Sequence, residues 1–262
     1  MTGKEHLIVC DLGRVEYGAA WNLQRLVQGR LIEAKRSDPP SAVPHVMLLV
    51  EHPPVFTLGK SGDPSNLLAS EALLKQRGAA FFHIDRGGDI TFHGPGQIVG
   101  YPILDLNRFF TDIHRYLREL EETVIRTCGD YGIIGRRIKG RTGVWVGEER
   151  LERKLCAMGI RCSRWVTMHG FALNVSTDLE YFNYIVPCGI SDRTVTSLSR
   201  ELNTEVDLED VRTLLVRHFA EGFSVTVERL YQSDAEAFLG EFTGEPLFHT
   251  IRQAGSIHTD VA

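Results

Sequence analysis

No stretch of this sequence stays apolar for long enough to cross a bilayer. The apolar run that opens it, Leu7-Ile8-Val9-Cys10, is also too short for the core of a secretion signal. Basic residues are not in surplus: 29 Lys and Arg stand against 34 Asp and Glu, a formal net charge of −5. Nucleic acid is therefore not expected as the main partner. Cysteine is scarce and odd in number, at Cys10, Cys128, Cys156, Cys162 and Cys188, with no pair at C-x-x-C spacing. That pattern excludes the common structural zinc arrangement and a secreted disulfide framework. A reducing cytoplasm is the expected compartment, where free thiols stay available for chemistry. Internal repeats and low-complexity linkers are also lacking. The 262 residues, 43% hydrophobic and 24% charged, read as an α/β domain with ordinary globular composition.

Hydrophobic spacing gives the expected elements. His6 to Leu12 reads as a strand, and residues 15–35 carry Ala19, Leu23, Leu26, Val27 and Leu31 at helical spacing. Val46 to Val50 is a continuous apolar run that fits a buried strand, ended by Glu51-His52-Pro53-Pro54. A loop from Gly59 to Ser65, a short helix over 69–77 and a strand over 80–85 follow. Ile98 to Leu106 reads as a strand, and Ile113, Tyr116, Leu117, Leu120, Val124 and Cys128 mark one face of a helix. Strands are expected near 133–139, 143–147, 154–162 and 166–175, and Asp207 as the cap of a helix bearing Leu208, Val211, Leu215 and Phe219. The expectation is a mixed sheet flanked by helices, α/β (α+β), with a catalytic domain over 1–242 and a loose C-terminal tail over 243–262.

Three segments carry chemistry. Arg86-Gly87-Gly88-Asp89-Ile90-Thr91-Phe92-His93-Gly94-Pro95-Gly96-Gln97 packs four glycines and a proline into twelve positions, reading as a long loop whose backbone can approach a ligand. It is neither a P-loop nor a dinucleotide fingerprint. Pro187-Cys188-Gly189-Ile190 sets a thiol in a polar loop, between a stiffening proline and a glycine that leaves it open. An ordinary thiol with pKa near 8.5 is only about 3% thiolate at neutral pH, so a nucleophilic Cys188 needs a nearby cation. Lys154 is the candidate, as thiolate–ammonium or as neutral thiol–amine pair. In Arg164 to Val175, Gly170 and Ala172 leave space on one strand face, which suits either an alkyl channel or plain packing; His169 reads as structural.

The stretches EHPPVFTLGK (51–60), RGGDITFHGPGQIVGYPILDL (86–106), KLCAMGIRCSRWVTMHGFALNV (154–175) and PCGISDRTVTSL (187–198) resemble the lipoyl(octanoyl) transferase family in order and spacing. The resemblance implies the single-domain fold of biotin and lipoate protein ligase catalytic domains. It implies octanoyl transfer from octanoyl-acyl carrier protein to a lysine ε-amine on lipoyl domains of 2-oxoacid dehydrogenases and on the glycine cleavage H protein. It implies an acyl-thioester on Cys188, with Lys154 lowering the thiol pKa. Substrate would be held by Arg86, Gly87, Gly88, Asp89, Ile90, Thr91, Phe92 and His93, by Ala157, Met158 and Gly159, and by Gly170, Phe171 and Ala172. No cofactor, ATP, metal or membrane is implied, because the acyl group arrives activated. The alternative on the same fold is an ATP-dependent lipoate or biotin protein ligase, which makes an acyl-adenylate and needs no nucleophilic cysteine. Cys156 stands where a small residue such as alanine is more usual. On a regular strand it shares a face with Lys154, which would place a second thiol near the site. Acidic carriers would dock on Arg136, Arg137, Arg150 and Arg153.

Overall fold

The structure, a computed structural model, describes residues 4–186 and 195–245. Strands β1 (His6–Arg14) and β2 (His45–Glu51) carry the apolar runs Leu7–Cys10 and Val46–Val50 because the sheet they join is covered on both faces. They pair in parallel, and β2 continues antiparallel to β6 (Gln97–Ile103), which lies beside β10 (Val166–Asn174). Antiparallel β9 (Arg153–Ser163), β8 (Arg141–Val146) and β7 (Arg136–Ile138) follow, and β11 (Thr226–Tyr231) adds in parallel on the far side of β1. The eight-stranded order is β11-β1-β2-β6-β10-β9-β8-β7.

One face, carrying Leu7, Val9, Met47, Leu49, Ile98 and Leu173, packs against α3 (Ile113–Asp130) and α5 (Leu208–Phe223). Their N-termini are capped by Asp112, which accepts from the Arg115 N–H, and by Asp207, which accepts from Glu209 and Asp210. The opposite face, carrying Ile8, Cys10, Val46, Leu48, Val50 and Ile103, packs against α1 (Tyr17–Arg36) and α6 (Gln232–Thr243). Ala20, Leu23, Val27 and Leu31 form the buried stripe of α1. Two buried glutamines of the same helix reach across to β10: Gln24 Oε1 accepts from the His169 N–H at 2.8 Å, and Gln28 Nε2 donates to the Val166 carbonyl at 2.8 Å.

A second sheet of three strands, β4 (Ala80–His83), β3 (Val55–Leu58) and β5 (Ile90–His93), shares with the short helix α2 (Glu71–Gln76) a small core of its own around Phe56, Leu58 and Phe92. The mixed sheets flanked by helices agree with the expected fold class. The segment read as one glycine-bearing loop over 86–97 is interrupted by β5, and β3, β11 and α6 fall where no element was expected. The expected tail lies mostly outside the described residues, and so does Cys188. Among the described residues no helix is long and apolar enough to cross a membrane.

Candidate active site

The loop between β4 and β5 is shaped by Arg86. Its Nη2 donates to the Thr57 carbonyl at 2.9 Å, to Thr57 Oγ1 at 3.2 Å and to the Asp89 carbonyl at 2.7 Å. Gly87 N–H donates to the Ile160 carbonyl of β9 at 3.0 Å, which lays the loop against the large sheet. Gly88 takes φ +94°, a conformation that a side chain resists. Asp89 turns its carboxylate back onto the protein, accepting from the Ile90 N–H and from Asn66 Nδ2, both at 2.7 Å.

His93 ends β5 deep in the structure. Gln97 Nε2 donates to the Phe92 carbonyl at 3.1 Å and to Asn174 Oδ1 at 2.9 Å, so both amide hydrogens are used. Gln97 Oε1 therefore accepts from His93 Nδ1–H at 2.8 Å, leaving His93 Nε2 to accept from the Thr57 hydroxyl at 3.4 Å. Burial holds the His93 imidazole neutral by pushing its pKa well below the ordinary value. His169, which faces the cavity described below, has φ +59° and donates from Nε2 to Asp85 at 2.9 Å. That hydrogen bond is the main reason the Asp85 pKa drops to about 2, with Arg161 alongside; burial lowers the pKa of His169.

Lys154 lies near the start of β9. Its ammonium sits 4.7 Å from the centre of the Trp145 ring, a cation–π distance. Its backbone forms a parallel bridge with Val195, and its carbonyl accepts from the Thr196 N–H at 2.9 Å. Val195 and Thr196, which come after Cys188 in the sequence, are thus fastened directly to Lys154. The expectation that Cys156 shares a face with Lys154 is overturned. Trp145 pairs with Lys154 and Val144 with Cys156, so one extra residue, Leu155, bulges out of β9 and breaks the two-residue alternation. Leu155 and Cys156 both enter the core instead. Burial pushes the Cys156 thiol well above its ordinary pKa, takes Cys10 and Cys128 up to about 12, and raises Cys162.

A cavity of about 630 Å³ opens between the 86–93 loop and strands β6, β10 and β9. Lys154 and every expected substrate-binding residue except Phe92 line it. The Phe92 ring instead stacks on Tyr181 at 4.5 Å inside the small-sheet core. Gly170 is narrower than its sequence suggests. A Cβ there would come within 2.2 Å of the Gly100 carbonyl of β6, so the glycine is required by close strand packing as well. Tyr17, Gln97, Trp145 and Asn174 line the cavity without having been singled out. Asn174 did carry a signal, a lone amide in the apolar strand FALNV, whereas Tyr17 and Trp145 read as ordinary core aromatics. Of the expected docking arginines, Arg137 is held by Glu121 and Glu122, and Arg153 by Glu201, which leaves Arg136 and Arg150 exposed and outside those pairs.

Helices on both faces of a mixed sheet give this chain the fold seen in lipoate protein ligases. The bi-partite lipoate protein ligase of Thermoplasma acidophilum shares it, with a TM-score of 0.65 at 14% identity over 97% of this chain and 100% of that one. Residues 17–220 match the family described as the lipoyl protein ligase A/B catalytic domain. The octanoyltransferase of Flavobacterium psychrophilum is 55% identical over 83% of this chain and 96% of its own length. That of Solibacter usitatus is 50% identical over 81% and 91%. The chain belongs to the octanoyltransferase family, a family of acyltransferases.

Proposed function

We propose that this enzyme takes octanoate from octanoyl-acyl carrier protein and places it on the ε-amine of a lysine in lipoyl domains, including that of the glycine cleavage H protein, through an acyl-thioester on Cys188. The observation that supports this reading is the bonding of Lys154 to described residues that come after Cys188 in the sequence. Val195 and Thr196 bind the Lys154 backbone, while the Lys154 side chain lines the cavity. The four described cysteines support it by contrast, since burial raises the pKa of each.

In the first step Cys188 sulfur attacks the carrier thioester carbonyl, a new C–S bond forms, and the carrier thiol leaves with a proton delivered through Lys154. This exchange of one thioester for another is close to balanced. In the second step the lysine amine attacks acyl-Cys188, the C–S bond breaks, and the amine proton passes by way of Lys154 to the Cys188 sulfur. Amide formation draws this step forward. The alkyl chain rests against Val99, Ala157, Met158, Phe171 and Ala172, an apolar wall that favours a medium-length aliphatic group.

Intact-protein mass spectrometry after incubation with octanoyl-acyl carrier protein, without ATP, tests the reading. Wild type should gain one octanoyl group that hydroxylamine removes and a lipoyl domain discharges, and Cys188→Ser should gain no hydroxylamine-labile group. Absence of the adduct, with transfer only when ATP and free octanoate are supplied, would move the chain to the ligase class.

A further inference from the structure

A single chain of hydrogen bonds runs through the buried floor of the site, and its direction is fixed at every link. Arg86 Nη2 donates to Thr57 Oγ1, and the Thr57 hydroxyl donates to His93 Nε2. His93 Nδ1–H donates to Gln97 Oε1, and Gln97 Nε2 donates to Asn174 Oδ1. With its oxygen committed to Gln97, Asn174 must present its amide hydrogens on the other side, and Nδ2 donates to the Thr196 carbonyl at 3.0 Å. Thr196 is fully buried and is held from both ends of its backbone, its carbonyl by Asn174 and its N–H by the Lys154 carbonyl. Its hydroxyl donates to Glu201, which Arg153 also grips.

Val186, which comes before Cys188 in the sequence, is fastened too. Val186 N–H donates to the Asn66 carbonyl at 2.8 Å, and Asn66 Nδ2 donates to the Asp89 carboxylate. Val186 and Thr196 therefore both hang on the 86–93 loop, the first through Asn66 and Asp89, the second through His93, Gln97 and Asn174. Asn174 is the last side chain on the second route.

We infer that Asn174 is a positioning residue. It fixes Thr196, and through the Thr196 N–H the backbone of Lys154, with respect to the substrate-holding loop. Its charge-free, two-sided amide is required because one side must accept and the other must donate. An isosteric carboxylate still accepts from Gln97 but faces the Thr196 carbonyl with a second acceptor, which repels it. The inference rests on the acyl-Cys188 reading and on no direct contact between Asn174 and the acyl carbonyl.

The test compares wild type, Asn174→Asp and Gln97→Glu. The second variant keeps the acceptor that His93 needs and removes the donor that orients Asn174. Three readouts are taken: the rate of acyl-enzyme formation against octanoyl-acyl carrier protein concentration, the pH profile of Cys188 alkylation by iodoacetamide, and the thermal unfolding transition. Both variants should lower the maximal rate about 10–100-fold with the half-saturating donor concentration little changed. Their alkylation profiles should move by about one pH unit toward an ordinary thiol near 8.5. A folded Asn174→Asp that alkylates and acylates as wild type does would overturn the inference, and so would loss of fold in both variants, since Asn174 would then serve stability alone. If Asn174→Asp alone fails to fold, Gln97→Glu decides by the same criteria. Failure of the wild type itself to form an acyl-Cys188 adduct would instead defeat the functional reading.

Discussion

Gly159→Ala is a small change with a large expected effect. Gly159 pairs with Gly170 across β9 and β10, and a Cβ on it would lie 2.7 Å from the Gly87 carbonyl and 2.8 Å from Arg86 Cδ. The arginine stem is flexible near its tip, but the Gly87 carbonyl is backbone and Arg86 is tied through Nη2 to Thr57 and Asp89. The loop must therefore lift from β9, which strains the Gly87 N–H bond to the Ile160 carbonyl. Overpacking of this kind costs about 1–3 kcal/mol. At about 2–4 °C per kcal/mol for a domain of this size, the melting temperature should fall by roughly 2–12 °C. Displacing substrate-holding groups by a sizeable fraction of an ångström should slow acyl-enzyme formation about 10–100-fold. Gly29→Ala in α1 is the control, because a Cβ there meets nothing within 4 Å. It should gain about 0.5–1 kcal/mol from helix propensity and leave the rate alone. Calorimetry and stopped acylation read by mass spectrometry measure both. A Gly159→Ala protein that melts and acylates like wild type would refute the close seating of the loop on β9.

Acid should destabilise the fold well before the carboxylates titrate. His52 and His45 are fully buried, and burial takes their pKa values down to about 4 and about 3. With folded values below the ordinary one near 6.5, the unfolded chain binds more protons, so stability is full above about pH 6.5 and declines as pH falls toward 4. Melting temperatures at pH 7 and pH 5 should differ, and His52→Gln should shrink the difference; an equal difference in wild type and variant would count against the assignment. Arg136→Glu with Arg150→Glu should raise the KM for an acidic carrier severalfold with kcat retained, because these two arginines stand outside the Glu121, Glu122 and Glu201 pairs. An unchanged KM would remove the docking surface from this edge. Arg153→Glu should also cost stability, since it puts a carboxylate against Glu201.

Periodicity made much of the fold legible. Helices α1, α3 and α5 and strands β1, β2, β6, β9 and β10 follow from apolar spacing, because a sheet covered on both faces leaves long apolar runs and its helices leave clean stripes. The small sheet was harder to read. Its β3 is four residues long beside Pro53-Pro54, and β5 hides between glycine clusters, so local turn chemistry masked a pairing made by distant residues. The bulge at Leu155 left no mark in the sequence, since Lys154-Leu155-Cys156-Ala157 alternates as well in either register. At the candidate site, glycines and the Arg86 and His93 ends were visible as motifs. Gln97 and Thr196 were not, and Asn174 showed only as a lone amide in FALNV, because their part is to hold backbone and one another, a relation that exists only once residues 77 and 22 positions apart have met.

The parallel pairing of β1 with β11 joins His6 to Thr226, residues far apart in the sequence. On a ribosome, β1 is made well before β11, and β2 satisfies only one of its two edges. Its second partner is completed some 217 residues after β1 ends, a delay of roughly 10–40 s at 5–20 residues per second. During that interval one edge of β1 stays unpaired, open to pairing with a neighbouring chain. The last strand of the sheet to be made is thus the one that ends the exposure of the first.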